Sequence, residues 1–170
     1  MSTIFEKLLS GELPCAKVYE DDLVFAFMDA GQVNDGHVLV ASKKPYETIL
    51  DIDEETTQRL FLVAKRIAHV VQDVFKAEGI TLLQANKDAG WQSVPHIHVH
   101  VLPRYKNDGV ELVWPRKEPG IERLKELAKL IQVPSLWRNH QWTVHAAKAS
   151  MKHAVEDFMK AQHSQAMQKN

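Results

Sequence analysis

Three histidines occupy alternate positions in the run His96-Ile97-His98-Val99-His100. The run continues into Val101-Leu102-Pro103, and its composition is typical of a β-strand. Because side chains along a strand alternate between two faces, the imidazoles are predicted to project from one face and the aliphatic residues from the other. A buried aliphatic face would hold this register, since a slip of one residue would expose it. The sequence therefore predicts a rigid row of three titratable groups.

Two kinds of chemistry suit such a row. Imidazole is a common zinc ligand, and neutral imidazole is also a nucleophile near pH 7. The preceding segment, residues 86–93, carries two side-chain amides, a glycine, a hydroxyl and one carboxylate, and it has no cysteine. Such a loop can offer backbone N–H groups and neutral donors to an anion. The pattern favours catalysis at phosphorus, and a zinc site made by three histidines is the alternative.

The composition is that of a globular domain. The chain has 170 residues, of which 45% are hydrophobic and 25% are charged. A net charge of −1 gives no overall field that would point to nucleic acid or to a membrane surface. The single cysteine, Cys15, excludes an intrachain disulfide. We predict a cytoplasmic protein, because the sequence has neither a signal-type apolar run nor 18 consecutive apolar residues.

The hydrophobic periodicity predicts helices and strands in separate blocks. A short helix is capped by Thr3, with Glu6 at capping-box spacing, and stops near Gly11. A long helix is capped by Asp53 and ends at Gly79. The predicted strands are residues 18–20, 23–29, 36–42, 80–85 and 97–103, and a third helix covers residues 119–132. This arrangement predicts an α+β fold with a mostly antiparallel sheet.

Several blocks of the sequence together resemble the histidine triad (HIT) superfamily of nucleotide hydrolases and transferases. The resemblance covers about residues 3 to 132. It rests on Ile4-Phe5, Gly11-Glu12-Leu13-Pro14, Val18 to Asp22, Ala26 to Asp29, Gly36 to Val40, Asn86, Gly90, Gln92-Ser93-Val94 and the run from His96 to Leu102. The chain looks most similar to the small nucleoside-phosphoramidate hydrolases, the Hint-like branch. It departs from the usual pattern at Trp91 and Pro95, both beside the expected phosphate loop.

The resemblance implies a HIT-like fold and an activity on nucleotides. The expected fold has a five-stranded antiparallel sheet, a long helix and a short N-terminal helix, with a homodimer that joins two sheets. The expected activity releases a nucleoside 5′-monophosphate, AMP foremost, from phosphoramidates or related adenylates. Hydrolysis of dinucleoside polyphosphates and a non-catalytic role as a purine-nucleotide-binding scaffold are the alternatives.

The resemblance also assigns roles to individual residues. His98 is expected to attack the α-phosphorus and to hold the nucleotide covalently, with a backbone carbonyl as the acceptor for its other ring nitrogen. His100 would contact the phosphate or the bridging atom, and His96 would lie one step back, supported by His37. The catalytic set also includes Ser93. The expected nucleotide-binding set is Asp29 for the ribose, Phe27 for the base (together with Phe5, Leu9 and Met28 as weaker candidates), Asn86 and the backbone of Gln92 to Val94 for the phosphate, and His37.

The expected partners are a purine nucleotide and a second copy of the chain, with no metal, no cofactor, no nucleic acid and no membrane. We divide the chain into a catalytic domain, residues 1–134, and a C-terminal extension, residues 135–170. The extension carries five Lys/Arg residues, two acidic residues and four of the nine histidines. Its apolar spacing predicts a helix that packs on the core or on a second subunit, and a tail for an anionic partner is the alternative.

Overall fold

The computed structural model describes residues 2–111, 113, 115–131 and 160. The chain divides into two compact units, Met1–Leu112 and Val113–Asn170. The elements of the first unit are, in order, α1 (Ile4–Ser10), β1 (Lys17–Glu20), β2 (Val24–Met28), β3 (Val38–Ser42), α2 (Glu54–Phe75), β4 (Gly79–Leu83), a 3-10 turn (Asp88–Gly90) and β5 (His98–Arg104).

The five strands form one antiparallel sheet in the order β1-β2-β3-β5-β4, which confirms the predicted α+β fold. The histidine strand β5 is internal. Its residue His100 pairs with Leu39 of β3 on one side and with Leu83 of β4 on the other. Pairing along both edges gives β5 a fixed position, which suits a strand that carries reactive groups.

One face of the sheet packs against α2. Ile97, Val99 and Val101 are fully buried there with the apolar stripe of the helix. That stripe recurs at helical spacing and consists of Leu60, Val63, Ala64, Ile67 and Val71. The burial of the aliphatic residues of β5 under α2 sends its histidines to the opposite face, as the alternation predicted.

The opposite face is covered by α1. Phe5 of this helix packs with Phe25 and Phe27 of β2 and with Leu39 and Ala41 of β3. The helix has the predicted capping box, since the Thr3 hydroxyl accepts from the Glu6 N–H and the Glu6 carboxylate accepts from the Thr3 N–H. It ends at Gly11, whose φ of 82° is left-handed, as predicted. A second layer of side chains therefore lies over the histidines.

Several predicted boundaries are wrong by one to three residues, those of α2 and β5 among them. The long helix ends at Phe75, because Lys76 takes the left-handed conformation (φ 56°) that terminates it, and Gly79 instead begins β4. In addition, β5 begins at His98, so that His96 and Ile97 lie just before the strand. The Ile97 N–H donates to the carbonyl of Tyr46 there, which takes Ile97 out of the ladder without changing the face that it occupies.

The second unit contains α3 (Ile121–Leu130), near the helix predicted from the sequence. Its surface carries i,i+3 ion pairs, Lys125 with Glu122 and Arg123 with Glu126. Apart from Lys160, the predicted extension 135–170 lies outside the described residues. None of the helices in the described part of the chain combines the length and the apolar content that a membrane span requires.

The core under β5 gives the first prediction. Leu60→Ala removes a fully buried side chain that packs beneath the histidine strand. We expect a loss of about 2–5 kcal/mol in the free energy of unfolding, because a cavity replaces the lost contacts. Urea denaturation measures the loss. Leu50→Ala is the matched control, since Leu50 is 72% exposed. Equal effects of the two substitutions would contradict this account of the core.

Candidate active site

A cavity of about 520 Å³ lies on the histidine face of the sheet. It brings together six of the predicted site residues, which are His98, His100, Ser93, Asp29, Phe27 and Val94. The other four, His96, His37, Asn86 and Gln92, are not among its lining residues. The cavity therefore brings β2 together with β5 and the loop that precedes it, although about 70 residues separate β2 from β5 in sequence.

His98 has a defined protonation pattern. Its Nδ1 lies 2.7 Å from the carbonyl oxygen of His96. Because a carbonyl can only accept, Nδ1 carries the proton and Nε2 keeps its lone pair. This confirms the predicted backbone acceptor. The ring is buried and meets the Phe5 ring edge to face at a centroid distance of 5.0 Å. His98 thus has the tautomer and the fixed orientation that a nucleophilic imidazole needs.

His96 is fully buried and is held by residues on both sides. Its Nε2 donates to the carbonyl of Ser42 at 2.7 Å, so its Nδ1 accepts from the Thr3 hydroxyl at 2.9 Å. The predicted catalytic set included His96 one step back from the phosphate. In the structure its two ring nitrogens are occupied by protein partners, and its contacts attach α1 to the residue whose carbonyl holds His98.

His37 does not support His96 as predicted. Its Nε2 lies 2.9 Å from Nδ1 of His100 instead, and the two rings stack at 5.1 Å. The strand register explains the correction. Val38 pairs with Val101, so His37 lies near the far end of β5 and away from His96.

Asp29 completes this corner of the cavity. Its Oδ2 lies 3.5 Å from Nε2 of His37 and 3.9 Å from Nδ1 of His100. Its Oδ1 accepts from the Gly31 N–H, which fixes the carboxylate. One ligand atom from each of the three residues lies within 4.8 Å of the others, so among the described residues this group is the one that could hold a metal ion.

Burial lowers the pKa of all four histidines, because the charged form loses its hydration. The effect lowers the pKa of His100 to about 4, with additional contributions from the like charges of His98 and His37. The carboxylate of Asp29 opposes the shift in the pKa of His37, His98 and His100. These imidazoles are consequently neutral near pH 7, the state required of a nucleophile or a metal ligand.

The loop before β5 uses two of its predicted phosphate ligands for its own structure. The Asn86 amide oxygen accepts from the Ile49 N–H at 2.8 Å, and its amide nitrogen donates to Gln84. The Gln92 amide accepts from the Lys87 N–H and donates to the carbonyl of Glu47. The structure therefore assigns both amides to loop anchoring, while Ser93 and Val94 reach the cavity.

The rest of the cavity wall is apolar. Phe27 lines it, stacks on Phe25 at 5.0 Å and meets Phe5 at 5.2 Å. Of the weaker candidates for the base, Phe5 and Met28 line the cavity and Leu9 does not. Sequence reasoning missed Ile4, Leu8, Pro14, Cys15, Ala16, Ala30 and Leu39. The apolar face of α1 could have indicated that Leu8 lines the cavity, and the alternation of side chains along β3 could have indicated the same for Leu39.

The chain is similar to known proteins in sequence and in fold. A family model described as the HIT domain matches residues 10–107. The chain belongs to the HIT family. A Bacillus subtilis protein named "Protein hit" is 41% identical over 112 residues, which are 65% of this chain and 77% of that protein.

Two further proteins are matched over most of their own length. A HIT-family crystal structure from Bacillus subtilis superimposes with a TM-score of 0.72 and 35% identity, and the match covers 79% of this chain and 99% of that one. The Schizosaccharomyces pombe protein named adenosine 5′-monophosphoramidase hnt1 is 29% identical over 132 residues, 77% of this chain and 96% of its own.

The contact between Thr3 and His96 gives a prediction about the wall of the cavity. Thr3→Val keeps the shape of the side chain and removes the hydroxyl that caps α1 and donates to His96. We expect it to lower the free energy of unfolding by about 0.5–2 kcal/mol, the usual cost of a lost cap. Thr3→Ser retains the hydroxyl and should retain the stability. Urea unfolding measures the free energy of unfolding of both variants. Equal losses for Thr3→Val and Thr3→Ser would contradict the role of the hydroxyl.

The lowered pKa of His100 makes the free energy of unfolding depend on pH. A histidine in the unfolded chain has a pKa of about 6.5, above the value of about 4 in the folded protein. Between these values the unfolded state binds more protons, so the free energy of unfolding should fall as pH falls from neutral through this window. Urea titrations at several pH values measure the slope. His100→Gln should make the slope of the free energy of unfolding against pH smaller. His69→Gln, at an exposed position on α2, is the control and should leave the slope unchanged.

Proposed function

We propose that this chain is a nucleotide hydrolase that releases a nucleoside 5′-monophosphate, AMP foremost, from phosphoramidates or related adenylates. The proposal rests on the hydrogen bonding and the position of His98. Its Nδ1–H is held by a backbone carbonyl, and its ring borders the cavity, which leaves Nε2 as a neutral nucleophile. The name of the Schizosaccharomyces pombe relative, an adenosine 5′-monophosphoramidase, supports this substrate class.

In the first step His98 Nε2 attacks the α-phosphorus. A bond forms between Nε2 and phosphorus, and the bond from phosphorus to the bridging nitrogen breaks. The amine leaves with the bonding pair and takes up a proton. The intermediate is a nucleotidyl-histidine, and the carbonyl of His96 continues to accept from Nδ1–H, which stabilises the positive charge that develops on the ring.

In the second step water attacks the same phosphorus. The bond from Nε2 to phosphorus breaks, the nucleoside monophosphate leaves, and the water gives up the proton that balances the one taken by the amine. His100 borders the reacting group in both steps, and the Ser93 hydroxyl is on the cavity wall to donate to a phosphate oxygen.

The nucleoside would occupy the remaining space. Asp29 Oδ1 already accepts from Gly31, and the carboxylate lines the cavity with acceptor capacity for the vicinal ribose hydroxyls. Phe5, Phe27 and Leu39 give apolar surface to the base. These walls offer contact area and few hydrogen-bonding groups, so they favour a purine by its size.

Removal of the nucleophile tests the proposal. In buffer that contains a chelator, the intact chain should release AMP from adenosine 5′-phosphoramidate, and His98→Ala should not. The substitution removes the atom that forms the intermediate. His69→Ala, at an exposed position on α2, is the matched histidine control and should keep full activity.

Three results would change the proposal. Turnover by His98→Ala would exclude the covalent scheme, and loss of turnover on chelation would favour a metal enzyme, with Asp29, His37 and His100 as the first candidates for ligands. Cleavage of a dinucleoside polyphosphate with a higher kcat/KM than the phosphoramidate would favour the alternative substrate. Nucleotide binding without turnover would favour the scaffold role.

We also propose that the chain forms a homodimer through β4. This strand is an edge of the sheet, and its residue Leu82 is 45% exposed. An unpaired edge with an apolar side chain is a ready surface for pairing with a second copy. Sedimentation equilibrium should give about twice the 19.4 kDa of the chain. Leu82→Lys should weaken the dimer and Leu50→Lys should not, and a monomeric wild-type chain would contradict the proposal.

A further inference from the structure

The loop between β2 and β3, residues 29–37, places Asp29 at the cavity wall. Its interior has neither helix nor strand, so its backbone polar groups have no regular ladder to pair with. Such groups need side chains or water as partners. The position of the Asp29 carboxylate therefore depends on what holds this loop.

Gln32 uses its entire side-chain amide to hold the loop. Its Nε2 donates to the carbonyl of Asp29 at 2.6 Å and to the carbonyl of His37 at 2.7 Å. Its Oε1 accepts from the N–H groups of Gly36 and His37, both at 3.0 Å. An amide has two N–H donors and an oxygen with two lone pairs, so this one is fully occupied. Because carbonyls only accept and backbone N–H groups only donate, these partners also fix which way the amide points.

The bonds of Gln32 form a closed set around Asp29. The Asp29 N–H donates to the carbonyl of His37 at 3.0 Å, and the same carbonyl accepts from Gln32. The carbonyl of Asp29 accepts from Gln32 as well. The carboxylate of Asp29 then accepts from the Gly31 N–H at 2.8 Å. The backbone of Asp29 is thus held on both sides, and its side chain is held by the next turn of the loop.

Gln32 is exposed, and it does not line the cavity. Water can reach an exposed loop and can satisfy the same backbone groups, so the glutamine is not required to prevent buried unpaired donors. Its amide supplies a fixed geometry instead, because it joins the two ends of the loop through one planar group. The contribution expected of Gln32 is therefore to the position of Asp29.

We propose that Gln32 is a positioning residue, which holds Asp29 ready for the ribose hydroxyls and thereby sets the preference of the site for nucleotides that have the 2′,3′-diol. This rests on the proposed function insofar as the ribose of a nucleotide lies at Asp29. A carboxylate that is held in place before binding has little conformational freedom left to lose when the ligand arrives. Release of the loop would remove that advantage and leave the rest of the cavity unchanged.

Two substitutions release the loop in different ways. Gln32→Met has a similar length and no polar atoms. Gln32→Glu keeps an acceptor for the N–H groups of Gly36 and His37 and replaces the donor to the two carbonyls with an oxygen. Gln58→Met, at an exposed position on α2, is the matched control. Hydrogen exchange of the Gly36 and His37 amides should become faster in Gln32→Met and stay unchanged in the control.

Calorimetry with AMP and with 2′,3′-dideoxy-AMP measures the role of the loop in binding. The wild type should bind AMP more tightly. Both substitutions at Gln32 should weaken AMP binding about three- to tenfold, the size of one lost hydrogen bond, and should leave the affinity for the dideoxy nucleotide unchanged. A general loosening of the cavity would weaken both ligands alike.

A double-variant comparison tests whether Gln32 acts through Asp29. In the Asp29→Ala protein, which has no carboxylate for the diol, Gln32→Met should cause no further loss of AMP affinity. Independent losses that add would overturn the proposal. Equal weakening of AMP and of the dideoxy nucleotide in the Gln32 variants would overturn it as well.

The proposal and the proposed function can fail separately. The two affinities are measured without turnover, and a melting temperature for each variant identifies loss of folding. If the wild type prefers AMP in a manner that depends on Gln32 but does not cleave the phosphoramidate, only the proposed function fails. If it cleaves the phosphoramidate and binds both nucleotides equally, only the role of Gln32 in selecting the diol fails.

Discussion

The burial of Ile97, Val99 and Val101 beneath α2 is the constraint on which the site depends. These side chains are fully buried and closely packed. A rotation or a slip of β5 would therefore expose them to water. The same constraint sends His98 and His100 to the other face of the sheet. Pairing with β3 and β4 on both sides removes the remaining freedom of the strand. The reactive groups are thus positioned by residues that take no part in the chemistry.

A second layer, built by α1, covers part of that face and leaves a cavity beside the histidines. Phe5 packs against the rings of His96 and His98, and Thr3 joins the start of the helix to His96. Enclosure has an electrostatic consequence, because it removes water from the imidazoles and lowers their pKa. The apolar side chains that line the cavity therefore also favour the neutral form of the histidines.

The four histidines have different surroundings because their hydrogen-bond partners differ. His96 is saturated by Ser42 and Thr3 and acts as an anchor. His98 has one nitrogen held by a carbonyl, and His37 and His100 share one hydrogen bond. Identical side chains thereby acquire different hydrogen-bonding environments, each defined by the partners within reach.

The alternation of histidine with aliphatic residues determined, without any structure, that the reactive groups share one sheet face. The capping box at Thr3 and the periodicity of α2 likewise predicted elements that the structure contains. These features depend on neighbours within a few positions, and backbone geometry turns such spacing directly into local structure. The resemblance of the N-terminal blocks and the histidine run was also sufficient to assign the family.

Tertiary structure alone decided which histidine meets which. The contact from His37 to His100 spans 63 positions and that from Thr3 to His96 spans 93. Strand order and register select these partners, and neither can be predicted from the spacing of residues along the chain. The same holds for Asn86 and Gln92, whose amides have the chemistry of phosphate ligands and are used by Ile49 and Glu47. A buried polar group must satisfy its hydrogen bonds with whatever the fold brings near it, and the fold is a property of the whole sheet.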